Sequence, residues 1–129
     1  MIEVYTDGAS KGNPGVSGAG VYIKAQGDIS EFSFPLGVLS NHEAEFMAVI
    51  KALEICKEYY PGEILSFRCD SKIVVDVVES DFTKNQTFIP YLEKIRTEIS
   101  HFPHVFFKWI PEKKNPNADR LARKAIYMQ

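Results

Sequence analysis

Cysteine is scarce in this sequence, and long apolar runs are missing from it. The two cysteines, Cys56 and Cys69, fall in segments whose periodicity predicts a helix and a buried strand, where intracellular proteins keep reduced cysteines. A disulfide-stabilised scaffold is therefore not expected. Charged residues interrupt the apolar stretches within a few positions, and the N-terminal segment does not have the pattern of a secretory signal. We expect a cytoplasmic protein that makes no membrane contact.

An excess of either charge is also missing, although the charges are unevenly distributed. The chain carries 15 Lys and Arg against 17 Asp and Glu, a net charge of −2. Residues 108–129 contain six basic and two acidic residues, a balance of +4, so the other 107 residues sum to −6. A basic C-terminal segment on an acidic body is compatible with polyanion binding at one surface, and equally with a solvated charged helix.

The bulk composition is that of an ordinary globular protein, with 45% hydrophobic and 25% charged residues in a chain of 129. This length is near the most common domain size. No internal repeat, low-complexity tract or long linker divides the sequence. We therefore predict a single domain over residues 1–129.

Hydrophobic periodicity predicts a mixed α/β fold. The first third alternates as three strands of an antiparallel meander, with a glycine-rich loop over 8–15. Ser40 and Glu43 then have capping-box spacing, and a helix follows whose buried face runs from Ala44 to Tyr59. Further on, strands and helices alternate, which favours parallel pairing. The predicted strands are 2–6, 18–25, 29–35, 63–69 and 104–110, and the later helices are 71–80, 88–100 and one beginning at Pro116 with Asn115 as its cap.

Four acidic residues stand at the ends of predicted elements. Asp7 and Asp70 each follow a strand, and if these strands are parallel neighbours their carboxylates lie a few ångströms apart. Glu45 and Asp119 occur near the starts of helices, where solvent-exposed acids are common because of the helix dipole. That ordinary explanation does not account for four acids that a mixed sheet could bring to one edge.

Carboxylates without cysteine or histidine partners favour Mg²⁺ or Mn²⁺ over zinc. The chemistry associated with such clusters is phosphoryl transfer with two metal ions. His42, His101 and His104 occupy a helix entry and a loop, and we do not expect them to bind metal.

Four segments in order resemble ribonuclease H of type 1, the family that cuts the RNA strand of RNA–DNA hybrids. They are "YTDGASKGNPGVSGAGVYI", "SNHEAEFMAVIKALE", "FRCDSKIVVDVV" and "NPNADRLARKA". The resemblance spans the whole chain. It implies an α/β fold with helices on both faces of a five-stranded mixed sheet of order 3-2-1-4-5, in which strands 1–3 are antiparallel and strands 4 and 5 are parallel to strand 1.

The resemblance also implies functional residues. The family's four catalytic, metal-binding acids fall on Asp7, Glu45, Asp70 and Asp119. They would hold two Mg²⁺ ions in the presence of substrate, with Mn²⁺ able to substitute, and support hydrolysis of the RNA strand by a monomer. Substrate-binding positions fall on Gly8, Ser10, Asn13, Ser40, Asn41, Ser71 and Lys72. Amides and hydroxyls there can recognise the 2′-hydroxyl of RNA, which is both donor and acceptor; for Asn13 and Asn41, ordinary turn and cap roles remain alternatives.

Two departures from the family pattern affect the expected activity. The loop before the last helix, "IPEKKNPN", lacks the histidine of well-studied members, and Glu112, Lys113 or Lys114 could take its place. The segment "ESDFTKNQTF" lacks the basic, tryptophan-bearing protrusion that some members use on the DNA strand. We therefore expect modest affinity, carried by Lys72, Lys84 and the basic C-terminal segment, and we expect Trp109 to pack in the core.

Two alternatives belong to other functional classes. One is a hybrid or nucleic-acid binding module that keeps the ribonuclease H fold and cuts weakly or not at all. Retention of all four acids disfavours it, because unused like charges cost stability. The other is an ATP-binding domain of the actin and sugar-kinase type, which needs two lobes where 129 residues supply one.

Overall fold

A five-stranded mixed sheet forms the centre of the computed structural model, which describes residues 1–129. The strands are β1 (Ile2–Gly12), β2 (Gly15–Ala25), β3 (Asp28–Leu39), β4 (Leu65–Cys69) and β5 (Val105–Trp109). The first three pair antiparallel, β4 pairs parallel with β1, and β5 pairs parallel with β4. The sheet order β3-β2-β1-β4-β5 confirms the expected order and strand directions.

Helices cover both faces of the sheet, as the resemblance implied. They are α1 (Asn41–Tyr59), α2 (Lys72–Ser80), α3 (Ile89–Ile99) and α4 (Pro116–Ile126). The main core of 20 buried residues is formed chiefly by the strands together with α1, α2 and α3, whereas α4 packs over β1, β2 and β3 on the other face. None of these helices combines the length and apolar character needed to cross a membrane.

Strand β1 does not end at Asp7, and the predicted loop over 8–15 is wrong. The strand continues to Gly12, paired with β2, and only Asn13 and Pro14 form the turn. Gly8 is required for another reason: a Cβ there would lie 2.3 Å from the carbonyl carbon of Ala44 in α1. Gly8, one of the glycines that favoured a loop, therefore permits close packing of α1 on a continuous strand.

Strand β3 also runs further than predicted, past Pro35 to Leu39. Pro35 is tolerated because β3 is an edge strand, where a missing backbone N–H costs no ladder hydrogen bond on the open side. The pairing with β2 shifts register between Ser17 and Gly18, opposite Gly37, whose φ is +73°. A local irregularity thus lets the strand continue beyond the proline.

Helix α1 begins with the predicted capping box. The Ser40 Oγ accepts from the Glu43 N–H at 3.2 Å, and the Glu43 Oε1 accepts from the Ser40 N–H at 3.1 Å. Ala44 is fully buried, but Tyr59 is 62% exposed, so its predicted place on the buried face is wrong. The last turn of the helix is exposed from Lys57 to Tyr59, because it extends beyond the core.

Trp109 does not pack in the core as predicted, since 46% of its surface is exposed. It is the last residue of the edge strand β5, which α4 does not cover. Its indole Nε1 donates to the backbone carbonyl of Asp70 at 3.2 Å. Trp109 therefore fixes the backbone at the end of β4 instead of filling the interior.

Candidate active site

Three carboxylates converge where β1 and β4 separate. Their parallel pairing ends with Thr6 opposite Cys69, so the next residue of each strand is an aspartate at the same edge. Glu45 joins them from α1, which approaches so closely that a Cβ on Gly8 would lie 2.4 Å from the Glu45 nitrogen. Carboxylate oxygens of Asp7, Glu45 and Asp70 lie within 4.8 Å of one another. The structure thus brings together three of the four predicted acids.

The electrostatics of this acidic cluster favour a bound cation. Asp7 is only 7% exposed, and burial, followed by the charges of Asp70, Asp119 and Glu45, raises its pKa to about 9. Burial likewise raises the pKa of Asp70, against the opposing effect of a hydrogen bond from Asn115. A divalent cation would supply the missing positive charge, and a donor set made only of oxygens suits Mg²⁺ or Mn²⁺. The residues present therefore fit the expected metal.

Asp119 lies beside the acidic cluster without belonging to the three converging carboxylates. Its charge contributes to the raised pKa of Asp7, and both of its oxygens accept from Arg123 Nε at 3.0 Å. The two residues are four positions apart on α4, so their pairing is local. The fourth predicted ligand therefore lies near Asp7 and is paired with a cation of its own helix.

Asn115 is a site residue that the sequence interpretation missed. Its side chain was expected to cap α4, but it makes no capping hydrogen bond. Instead it is 1% exposed, and its Nδ2 donates to the Thr6 carbonyl at 2.9 Å and to Asp70 Oδ2 at 3.1 Å. The one sequence signal was an asparagine before Pro116, which a cap explains equally well.

His42 contacts the acidic cluster through Glu45. Its Nδ1 lies 2.9 Å from Glu45 Oε1, three residues along α1. The ring also packs edge-on against Phe88, with centroids 5.9 Å apart. This arrangement places His42 against a predicted metal ligand.

A cavity of about 470 Å³ opens over the acids. Of the predicted substrate-binding residues, Gly8, Ser10 and Asn41 line it, and Asn13 supports it because its Oδ1 accepts from the Asn41 N–H at 3.0 Å. The cavity wall also contains Glu112, Arg123, Lys11 and Tyr127; the last two were not predicted to bind substrate.

Three predicted substrate-binding residues do not line this cavity: Ser40, Ser71 and Lys72. The Ser40 hydroxyl accepts from the Glu43 N–H and the Ser71 hydroxyl from the Val74 N–H, so both begin helices. Lys72 is exposed at the start of α2. Their contact with substrate stays a prediction.

Comparison with known proteins identifies the family. A family model described as "Reverse transcriptase-like" matches residues 5–125. The chain is 41% identical over 128 residues to "Putative hydrolase EbsB" of Enterococcus faecalis, covering 98% of this chain and 94% of that protein. It is 37% identical over 140 residues to a ribonuclease H of Trichodesmium erythraeum, covering 96% and 87% respectively. The chain belongs to the ribonuclease H family.

The ribonuclease H fold is matched over the whole length of a solved structure. The structure of LC11-RNase H1 in complex with RNA/DNA hybrid superimposes with a TM-score of 0.92 and 32% identity, covering 99% of this chain and 98% of that one. Other members are longer, and this chain spans 64% of the ribonuclease HI of Halobacterium salinarum. The resemblance stated from the four sequence segments is therefore confirmed.

Proposed function

We propose that this chain is an endonuclease that hydrolyses the RNA strand of RNA–DNA hybrids. The main support is that carboxylate oxygens of Asp7, Glu45 and Asp70 lie within 4.8 Å of one another. These acids line an open cavity in a ribonuclease H fold. Membership of the family and a matched structure whose chain holds an RNA/DNA hybrid support it. The same proposal includes a single domain over 1–129, a monomeric state and a cytoplasmic location.

The acids would hold divalent metal, and the proposal specifies two Mg²⁺ ions with Mn²⁺ able to replace them. Asp7, Glu45 and Asp70 would be the main ligands, and Asp119 would complete the set from α4. Such ions activate the attacking water and neutralise charge on the leaving oxygen. Oxygen-only ligands and the raised pKa values of Asp7 and Asp70 support this assignment.

The remaining residues of the site orient its groups. Asn115 holds Asp70 beside Thr6 of β1, and Trp109 holds the backbone of the same aspartate. Gly8 lets α1 pack directly on the strand backbone, so that both would lie beside a substrate phosphate held at the acids. Ser10 and Asn41 line the cavity, where a hydroxyl and an amide can donate to and accept from a 2′-hydroxyl. This set of donors and acceptors gives a reason for RNA to be the strand that is cut.

The decisive experiment compares substrates. A labelled RNA–DNA hybrid, duplex DNA, duplex RNA and both single strands are each incubated with the protein in Mg²⁺, in Mn²⁺ and in EDTA. We expect metal-dependent internal cutting of the RNA in the hybrid alone. Binding of the hybrid without cutting in either metal would instead support the binding module, and cutting of duplex DNA would contradict the proposed specificity.

A further inference from the structure

Two lysines, one on β1 and one on β2, lie over tyrosine rings. Lys11 Nζ is 5.5 Å from the centroid of the Tyr127 ring, and Lys24 Nζ is 5.6 Å from that of Tyr5. An ammonium within about 6 Å of an aromatic centroid is attracted by the ring. The two pairs differ in place, because Lys11 and Tyr127 line the cavity that contains the acids and Lys24 and Tyr5 do not.

The position of Lys11 suits a phosphate next to the one held by the acids. Asp7 and Lys11 are four residues apart on β1, so their side chains project from the same face at a separation of about 13 Å along the strand. That distance is too long for a shared phosphate. The long, flexible side chain of Lys11 shortens that gap, so its ammonium can reach a neighbouring phosphate on a nucleic-acid backbone that crosses the cavity.

The charge of Lys11 is free for such a contact. No carboxylate lies within 4.0 Å of its ammonium, whereas Arg123, the other cation lining the cavity, is paired with Asp119. Lys72 and Lys84, to which the sequence interpretation assigned hybrid affinity, do not line the cavity. Lys11 is therefore the one cation of the cavity wall without an acidic partner.

Tyr127 offers a fixed support for this ammonium. Tyr127 is 76% exposed, but its backbone caps the end of α4, where its N–H donates to the Lys124 carbonyl at 3.1 Å. Two residues later, the Gln129 side chain donates to the Ser17 carbonyl at 2.7 Å and accepts from the Gly37 N–H at 2.8 Å. These contacts tie the end of α4 to β2 and β3, beside the hairpin that carries Lys11.

We propose that Lys11, positioned by the Tyr127 ring, binds a backbone phosphate adjacent to the scissile one. The proposal rests on the hybrid-cleaving function proposed above and adds a phosphate contact to it. The contact would supply part of the hybrid affinity that some other family members obtain from the basic protrusion.

The test compares Lys11→Ala with Lys24→Ala, a control that removes the same kind of lysine–tyrosine pair outside the cavity. Hybrid affinity is measured by fluorescence anisotropy in an Asp7→Asn background, so that binding is scored without cutting. For Lys11→Ala we expect about three- to tenfold weaker binding and a salt slope smaller by about one. In the cleaving protein, which retains Asp7, the Lys11→Ala change should raise KM with little change in kcat. Lys24→Ala should match the parent in both affinity and kinetics.

Conservative variants separate charge from ring. Lys11→Arg should restore binding, Tyr127→Phe should match the parent, and Tyr127→Ala should weaken binding in the same direction as Lys11→Ala. A set of hybrids, each with one uncharged methylphosphonate at a different position near the cut site, locates the contacted phosphate. At one position the substitution should weaken binding of the parent protein. At that same position it should leave the affinity of Lys11→Ala unchanged.

Specific results would overturn the inference. Equal affinities and salt slopes for Lys11→Ala, Lys24→Ala and the parent would remove the phosphate contact while the proposed cleavage stands. Loss of binding in Tyr127→Phe would remove the role given to the ring. A parent protein that neither binds nor cuts the hybrid would overturn both the contact and the function on which it rests.

Discussion

Asp7 shows how one residue can be costly for folding and useful for chemistry. It is nearly buried in the middle of β1, and Asp70 and Glu45 lie within 4.8 Å of its carboxylate. In the absence of a cation, burial and like charges both disfavour its ionised form. A strand that keeps an acid at this point is stabilised when a positive ion compensates it.

The first prediction concerns Asp7→Asn, which keeps the shape of the side chain and removes its charge. Hybrid cleavage should fall by several orders of magnitude, while hybrid binding survives, because the metal loses a ligand. In EDTA the variant should be more stable than the parent, because an uncharged amide avoids the burial cost and the like-charge repulsion of the Asp7 carboxylate. Cleavage assays, anisotropy and thermal melts check this. A variant that unfolds, or that cuts normally, would contradict it.

The second prediction is a pH dependence of metal-free stability. The pKa of Asp7 is about 9 in the folded chain and about 3.9 when unfolded. Between these values the folded chain binds more protons than the unfolded chain, so the free energy of unfolding decreases as pH rises. The contribution is complete below about pH 4 and lost by about pH 9.

Urea unfolding in EDTA measures this effect against Asp7→Asn, which lacks the titrating group. The stability advantage of the variant over the parent should be larger at about pH 8 than at about pH 5. A difference that is the same at both pH values would show that Asp7 is ionised with an ordinary pKa.

The third prediction concerns Asn115→Ala. The change removes the hydrogen bonds from Nδ2 to the Thr6 carbonyl and to Asp70. Stability should fall by about 1–3 kcal/mol because a buried carbonyl loses its donor, and cleavage should fall by about 10- to 100-fold because Asp70 loses its orientation. Asn117→Ala, two residues further along α4, is the control, since no side-chain hydrogen bond of Asn117 is formed. Equal behaviour of the two variants would rule out the positioning role.

At the scale of elements, the site depends on the close approach of α1 and α4 to the sheet, at strand positions where glycine has no side chain. Gly8 faces the start of α1, while Gly18 and Gly20 face α4. A Cβ on Gly20 would lie 2.2 Å from the Ala118 carbonyl oxygen and 2.5 Å from the Ala122 nitrogen. Because Gly20 pairs with Asp7, this contact also sets the distance between α4 and the acidic cluster.

The fourth prediction is that Gly20→Ala damages both stability and cleavage. The added methyl must displace α4, which costs about 1–3 kcal/mol of overpacking and moves Asp119 away from Asp7. Gly27→Ala is the control: its Cβ meets nothing within 4 Å, although its φ of +86° adds about 1 kcal/mol of backbone strain. At a temperature where both variants are folded, Gly27→Ala should cut at the parent rate and Gly20→Ala should not. Parent-like cleavage by Gly20→Ala would show that the position of α4 is unimportant.

At the scale of the whole molecule, the charge balance limits nucleic-acid affinity. The net charge is −2, and the segment between α2 and α3 carries a single lysine, Lys84. Its acid, Asp81, is paired with Arg96 at 2.8 Å. The molecule therefore has few cations with which to release counterions from a duplex.

The fifth prediction adds charge to that segment. Replacing the exposed Gln86 and Thr87 by lysine should lower KM for the hybrid more than it raises kcat, because the added contacts bind substrate and transition state alike. The gain should disappear at high salt. Glutamates at the same two positions should raise KM. Steady-state kinetics at several salt concentrations measure this, and a KM that neither charge nor salt changes would contradict the electrostatic account.

The sequence by itself determined the features that depend on neighbouring residues. Capping-box spacing located the start of α1, and alternation located the core segments of the strands, because local backbone preferences and side-chain periodicity act within a few residues. Two aspartates after two strands predicted a meeting of carboxylates, and parallel pairing of β1 with β4 produced it. Four ordered segments were enough to indicate the family.

Only the tertiary structure decided the features that depend on distant partners. Gly8 belongs to a strand because it pairs with Ala19 of β2 while α1 packs closely against it, and Trp109 is exposed at the end of the edge strand β5. Asn115 bonds to Thr6 across 109 positions of the chain and to Asp70 across 45, and Lys11 lies over Tyr127 across 116 positions. Local propensity carries no information about such contacts, since they exist only after the sheet and α4 have packed together.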